Sequence, residues 1–181
     1  MTLISEAYRE QLAQKHVHSA DFGKMGSNQL KAGTVLGMCQ LYDTDSVLDY
    51  GCGKGEFALR LPFPITNYDP AIPKFAATPK PHDIVICADV LEHIEPEYLD
   101  DVLDDLKRVT KKAGLFIICL VEARKHLPDG RNAHICLLPK EEWLAKIGER
   151  FKIKVSEGIK ASADGTPAEK EIWLHVAVEP K

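Results

Sequence analysis

Val47-Leu48-Asp49-Tyr50-Gly51-Cys52-Gly53-Lys54-Gly55 sets an apolar strand against three glycines at alternate positions, and a short helix follows from Glu56. Glycine at 51, 53 and 55 permits φ > 0 and lets a ligand come against the backbone with no Cβ between. A strand, a glycine turn and a helix in that order also aim free helix N–H groups at whatever is bound. A tight loop has the same composition, so the turn alone does not decide. A second apolar segment, Phe63 to Tyr68, ends in Asp69, twenty residues after Asp49. An acid at the tip of the second strand can accept hydrogen bonds from ribose hydroxyls, so the two features together point to a nucleotide-like ligand. A dinucleotide site prefers Gly-x-Gly-x-x-Gly. Here Glu56 stands three places after Gly53, which counts against NAD.

The rest of the chain alternates helix and strand. Helices are expected from about Ile4 to Lys15, and from the end of a loop at Asp21–Asn28 through about Leu41. Pro96 to about Lys111 carries Leu99, Val102, Leu103, Leu106 and Val109 on one face, with basic residues at its end and Gly114 as the expected stop. Leu115 to Val121 reads as a buried parallel strand and Pro139 to Arg150 as a helix. Phe151–Glu157 and Glu171–Val178 suit an antiparallel pair at an edge. The expected class is therefore α/β, a doubly wound Rossmann-like sheet, mostly parallel with an antiparallel C-terminal edge strand and its ligand at the strands' carboxyl ends.

At 181 residues and 45% apolar content the chain is expected to form one domain, with residues 1–45 as a helical lid and 46–181 as the core. It has no apolar run of about 18 residues and no N-terminal signal pattern, so the expectation is a cytoplasmic protein without a membrane span. Cys39, Cys52, Cys87, Cys119 and Cys136 are scattered through apolar segments and read as reduced core thiols. A net charge of −4 argues against long nucleic acid as a partner, while an RNA or nucleotide end stays open. A monomer and a homodimer are both compatible with the chain.

These motifs, in this order, resemble the class I S-adenosylmethionine-dependent methyltransferases over roughly Ser46 to Leu144. Residues 47–55 are similar to the family's first motif, and Tyr68-Asp69-Pro70 to its acidic second-strand motif. Asp83-Ile84-Val85-Ile86-Cys87-Ala88-Asp89-Val90-Leu91-Glu92-His93-Ile94 is similar to the fourth strand and the loop over the methyl donor. The resemblance implies S-adenosylmethionine as cofactor, held by Asp49, Gly51, Cys52, Gly53, Asp69, Pro70, Ala88 and Asp89. The chain departs from the family in one place: only residues 70–82 separate Asp69 from Asp83, and they include Pro70, Pro73, Pro79 and Pro81. A crossover helix and a third strand do not fit there. The expected order, in the family's numbering, is 2-1-4-5-7-6, with the second strand exposed at one edge. Either the loop from Ala71 to His82 covers the adenine, or donor binding is weakened or lost.

Beyond the donor, the chemistry is expected at Asp89, Glu92, His93 and His134. The first three share one side of a helical turn and the fourth comes from the loop after the fifth strand. Two carboxylates and two imidazoles suit Mg²⁺, Mn²⁺ or a similar ion, with open positions for a substrate oxygen. The pattern resembles the metal-dependent branch of the family, which includes small-RNA 3′-terminal ribose 2′-O-methyltransferases and ubiquinone-pathway O-methyltransferases. Three readings stand: a metal site, a general-base or positioning role for His93 or His134 with Glu92 in support, or helix capping. His16 and His18 are lid or surface residues. Tyr8, Phe22 and Trp143 either stack on a planar substrate or fill the core, and Arg124, Lys125 and Arg131 either grip an anionic substrate group or form a solvated loop.

The expected function is methyl transfer, O-directed and metal-assisted, to a small molecule or a nucleotide or RNA end. The alternative is a methyltransferase-like binding module, weak or inactive in turnover, that acts through a protein partner.

Overall fold

A computed structural model describes residues 2–19, 22–23, 29–162 and 165–181, with the backbone alone for 29–30. Most of the loop expected at Asp21–Asn28 lies outside the described residues.

Six strands form one sheet: β1 (Val47–Tyr50), β2 (Thr66–Tyr68), β3 (His82–Ala88), β4 (Thr110–Cys119), β5 (Phe151–Ile159) and β6 (Trp173–Pro180). Their order is β2-β1-β3-β4-β6-β5. β1 pairs parallel with β2 and β3, and β3 parallel with β4, while β6 runs antiparallel between β4 and β5. This is the order expected with the third strand missing. The antiparallel pair closes the sheet at the C-terminal side, with the C-terminal strand itself one place in from the edge.

Helices cover both faces. α3 (Leu99–Val109) and α4 (Lys140–Arg150) bury Val102, Leu103, Leu106, Trp143 and Ile147 against Leu48, Val85, Cys87, Phe116 and Ile118. α2 (Gln29–Leu41) packs Ala32, Val35 and Cys39 on the other face, against Val47, Ile84, Ile86 and Ile117. Consecutive strand residues enter opposite cores because side chains alternate across a sheet. Both faces are covered, so β3 and β4 read as nearly continuous apolar runs. Trp143 belongs wholly to this core and not to a stacking site. All five cysteines are buried and unbonded to one another.

α3 is preceded by a 3-10 turn at Pro96–Tyr98 and ends at Val109, well short of Gly114. Thr110 pairs with His82 in the β3–β4 ladder, so the chain is extended before Gly114 is reached. Gly114 lies inside β4, where a Cβ would stand 3.0 Å from Val178. The helix after the glycine turn is a single 3-10 stretch, Glu56–Arg60.

α1 (Glu6–His18) stands apart from the sheet. Ser5 caps it, its hydroxyl accepting from the Tyr8 N–H at 3.1 Å. Tyr8, with Ile4 and Leu12, forms a third small core with Leu127, Ala133 and Ile135. That contact holds α1 across the carboxyl ends of the strands. Among the described residues no helix is long and apolar enough to cross a membrane.

Candidate active site

The glycine turn is bent as its sequence requires. Gly51, Gly53 and Gly55 have φ of 77°, 52° and 75°. The Gly51 and Cys52 N–H groups both donate to the Tyr68 carbonyl, at 2.8 and 2.9 Å, which ties the turn to the end of β2. Asp69 follows at once. Its Oδ2 accepts from the Gly53 N–H at 3.0 Å and its Oδ1 from Ala71 at 2.9 Å. Burial raises its pKa, against those N–H bonds and the neighbouring His16.

A cavity of about 530 Å³ opens beside this turn. Gly51, Gly53, Asp69, Pro70 and Asp89 line it, and so do His93 and His134. Asp49, Cys52 and Ala88 are buried and are not among its lining residues. Asp49 takes part in the core below the cavity: burial pushes its carboxyl up to about 7, opposed by the charge of Lys31 on α2. The loop beyond Pro70 does not reach the cavity either. It turns back, with the Phe75 carbonyl accepting from the Asp69 N–H at 3.1 Å and the Pro79 carbonyl from Arg108 at 3.1 Å. The expected adenine cover from Ala71–His82 is therefore absent from the cavity wall.

At the other end the structure brings the four expected residues together. Asp89, Glu92, His93 and His134 each offer a ligand atom, all within 4.8 Å of one another. Asp89 closes β3 with φ 64°, a left-handed conformation that aspartate tolerates better than most side chains. A 3-10 turn at Leu91–His93 then carries Glu92 inward. Glu92 is fully buried; its Oε1 accepts from the Cys119 N–H at 2.8 Å and its Oε2 has no hydrogen-bond partner. Burial, and then the adjacent Asp89 charge, drive its pKa upward. His93 Nδ1 meets the Ala133 carbonyl at 2.7 Å and His134 Nδ1 the Val121 carbonyl at 2.6 Å. Each ring is thereby fixed at Nδ1, which leaves Nε2 as its other polar atom. The rings meet edge to face at 4.7 Å. Burial holds the His93 pKa down, so the imidazole stays neutral.

A profile of the methyltransferase-domain family matches residues 9–151. The chain belongs to that family. It is an S-adenosylmethionine-dependent methyltransferase of class I. Three solved structures illustrate its fold. The Burkholderia thailandensis 1,6-didemethyltoxoflavin-N1-methyltransferase, with 1,6-didemethyltoxoflavin and S-adenosylhomocysteine bound, is 15% identical, with a TM-score of 0.67 over all of this chain and 92% of that one. The N-methyltransferase NodS from Bradyrhizobium japonicum, in complex with S-adenosylhomocysteine, is 14% identical, with a TM-score of 0.62 over 96% of this chain and 98% of that one. The methyltransferase domain of the bacterial CtHen1-CN is 17% identical, with a TM-score of 0.57 over 84% of this chain and 99% of that one. No curated protein sequence matches significantly.

The methyltransferase also has one site residue that its sequence did not mark, Lys31, and it gives Tyr8 a contact that the sequence did not show. The Tyr8 hydroxyl donates to the His93 carbonyl at 2.8 Å, so α1 braces the cluster directly. Lys31 is buried on α2, within 5.9 Å of the Trp173 ring and in the field of Asp89, Glu92 and Asp49. His16 and Phe22 line the cavity. His18 does not. Arg124 and Lys125 stand at its mouth, whereas Arg131 is ion-paired to Asp129 at 2.8 Å and lies over the Tyr8 ring. A lysine within a run of ordinary α2 residues carries no spacing signature, and Tyr8 sits more than eighty residues from its partner.

Proposed function

We propose that this methyltransferase transfers the donor's methyl group to an acceptor oxygen, assisted by a divalent cation held by Asp89, Glu92, His93 and His134. The observation that carries the reading is Glu92 Oε2. A fully buried carboxylate oxygen whose neighbour is a second carboxyl, Asp89, is costly unless a cation or a shared proton satisfies the pair. Beside it are a second carboxylate and two imidazoles whose Nδ1 atoms are already committed to carbonyls. Two hard oxygens and two borderline nitrogens suit Mg²⁺, Mn²⁺ or a similar ion. When bound, such an ion lowers the pKa of a hydroxyl and so supplies a nucleophile at neutral pH.

The chain's own residues do the rest. The carbonyls of Ala133 and Val121 set the imidazole tautomers, and the Cys119 N–H holds Glu92 in place. Gly51, Gly53, Asp69 and Pro70 seat the donor, whose sulfonium then lies toward His93. Residues 1–45 act as a lid on the core 46–181, within one domain, and exclude water from the transfer. The acceptor is a small molecule, because Leu3, Ile4, Leu12 and Ile94 make much of the cavity wall apolar. Arg124 and Lys125 at the mouth support an acceptor with an anionic group, a nucleotide end included.

The test is metal dependence. Chelator-treated protein should show a higher melting temperature on adding Mn²⁺, and His134→Ala should lose that rise together with metal-restored methyl transfer. Full activity in excess chelator, with no Mn²⁺-dependent stabilisation, would remove the metal. His93 or His134 would then be the base, with one limb of the pH–rate profile near an imidazole pKa of about 6.5.

A further inference from the structure

Part of the cavity wall comes from the lid. Of the whole segment 70–82 only Pro70 lines the cavity. His16, Phe22 and Gly23 all do. They are not loosely apposed to the core. The Gly23 carbonyl accepts from the Lys54 N–H at 3.2 Å, and a Cβ built on Gly53 would lie 2.5 Å from that carbonyl oxygen. The Lys54 ammonium also donates to the Ser19 carbonyl at 2.8 Å. The lid is thus registered, backbone against backbone, on the same turn that seats the donor.

From there a row of rings runs along the cavity. His16 lies in the field of Asp69; its ring meets Phe22 edge to face at 4.8 Å, Phe22 meets His93 at 6.1 Å, and His93 meets His134. The row runs from a histidine in the field of Asp69 to the His93–His134 pair. His16 Nδ1 is buried and has no hydrogen-bond partner. Burial holds this imidazole's pKa down, against Asp69 and a backbone bond to Phe22, so the neutral ring has Nδ1 to accept from a donor hydroxyl.

We propose that His16 and Phe22 are donor-binding residues: His16 Nδ1 accepts from a ribose hydroxyl next to Asp69, and Phe22 packs on the donor between that ribose and His93, giving the donor a wall that residues 71–82 do not supply. The proposal rests on the donor lying along Gly51, Gly53 and Asp69, and the test separates the two. Titration calorimetry with S-adenosylhomocysteine is run on the full chain and on Phe22→Ala, His16→Ala and Asp69→Ala. Wild type should bind, and each lid variant should bind about tenfold more weakly, the scale of one lost aromatic contact or buried hydrogen bond. Lid variants that bind as wild type, while Asp69→Ala is weakened, would overturn the lid assignment alone. Wild type and Asp69→Ala binding equally would overturn the donor position beneath it. Phe22→Trp provides a second readout that does not depend on affinity. Its emission, less that of wild type with Trp143 and Trp173, should shift on saturation with S-adenosylhomocysteine, and an unchanged difference spectrum at saturation would place the ring away from the donor.

Discussion

Asp49 and Asp69 lie at or just beyond the ends of neighbouring strands and differ in what surrounds them. Asp69 faces the cavity and is held by two backbone N–H groups. Asp49 faces the helical layer of Lys31, and burial raises its pKa to about 7. Its unfolded value is about 3.9. The folded state therefore favours the protonated form, so this group's contribution is fully present below about pH 4 and is lost as pH rises through about 7. Asp49→Asn should flatten the fall in unfolding free energy between those limits, measured by urea denaturation at a series of pH values; an unchanged slope would mean Asp49 keeps an ordinary pKa. At Gly53 the obstruction to a side chain is the lid. Gly53→Ala should displace the Gly23 carbonyl and weaken S-adenosylhomocysteine binding by about tenfold or more, with the core melt retained. The three glycines were legible because only a positive φ makes them necessary together. The same freedom at Asp89 was not, since aspartate is common in every conformation that ends a strand.

At the level of elements, α3 was readable from its apolar stripe and misread at its end. Leu103 and Leu106 are fully buried beneath it, and Leu103→Ala should cost about 2–5 kcal/mol in chemical denaturation. A loss below 1 kcal/mol would mean that this face is not the core. The end failed because basic residues and a glycine mark a helix stop only when no strand competes, and pairing of Thr110 with His82 recruited them into β4. α1 has the reverse history. Its helicity was evident, but its role depends on Tyr8 reaching the His93 carbonyl across the cavity. Tyr8→Phe should lower stability by about 1 kcal/mol through that single hydrogen bond and reduce turnover with little change in S-adenosylhomocysteine affinity. Equal turnover would make Tyr8 a packing residue only.

For the molecule as a whole, the sheet order followed from the chain because thirteen residues cannot hold a crossover helix and a strand, whatever their identity. The cluster was legible too, since Asp89, Glu92 and His93 lie within one turn and His134 follows the next strand, and α/β topology returns every such loop to the same end of the sheet. What could not be read was the closure of the cavity. Gly23 against Gly53 is a contact of backbone with backbone, and it leaves no side-chain pattern in either segment. The reading of the whole stands on a donor seated between the glycine turn, Asp69 and the lid. Titration calorimetry of the full chain with S-adenosylhomocysteine tests this most directly. Saturable binding of one ligand per chain, weakened about tenfold or more in Asp69→Ala, is the expected result; no binding by the wild type, or equal affinity in Asp69→Ala, would contradict it.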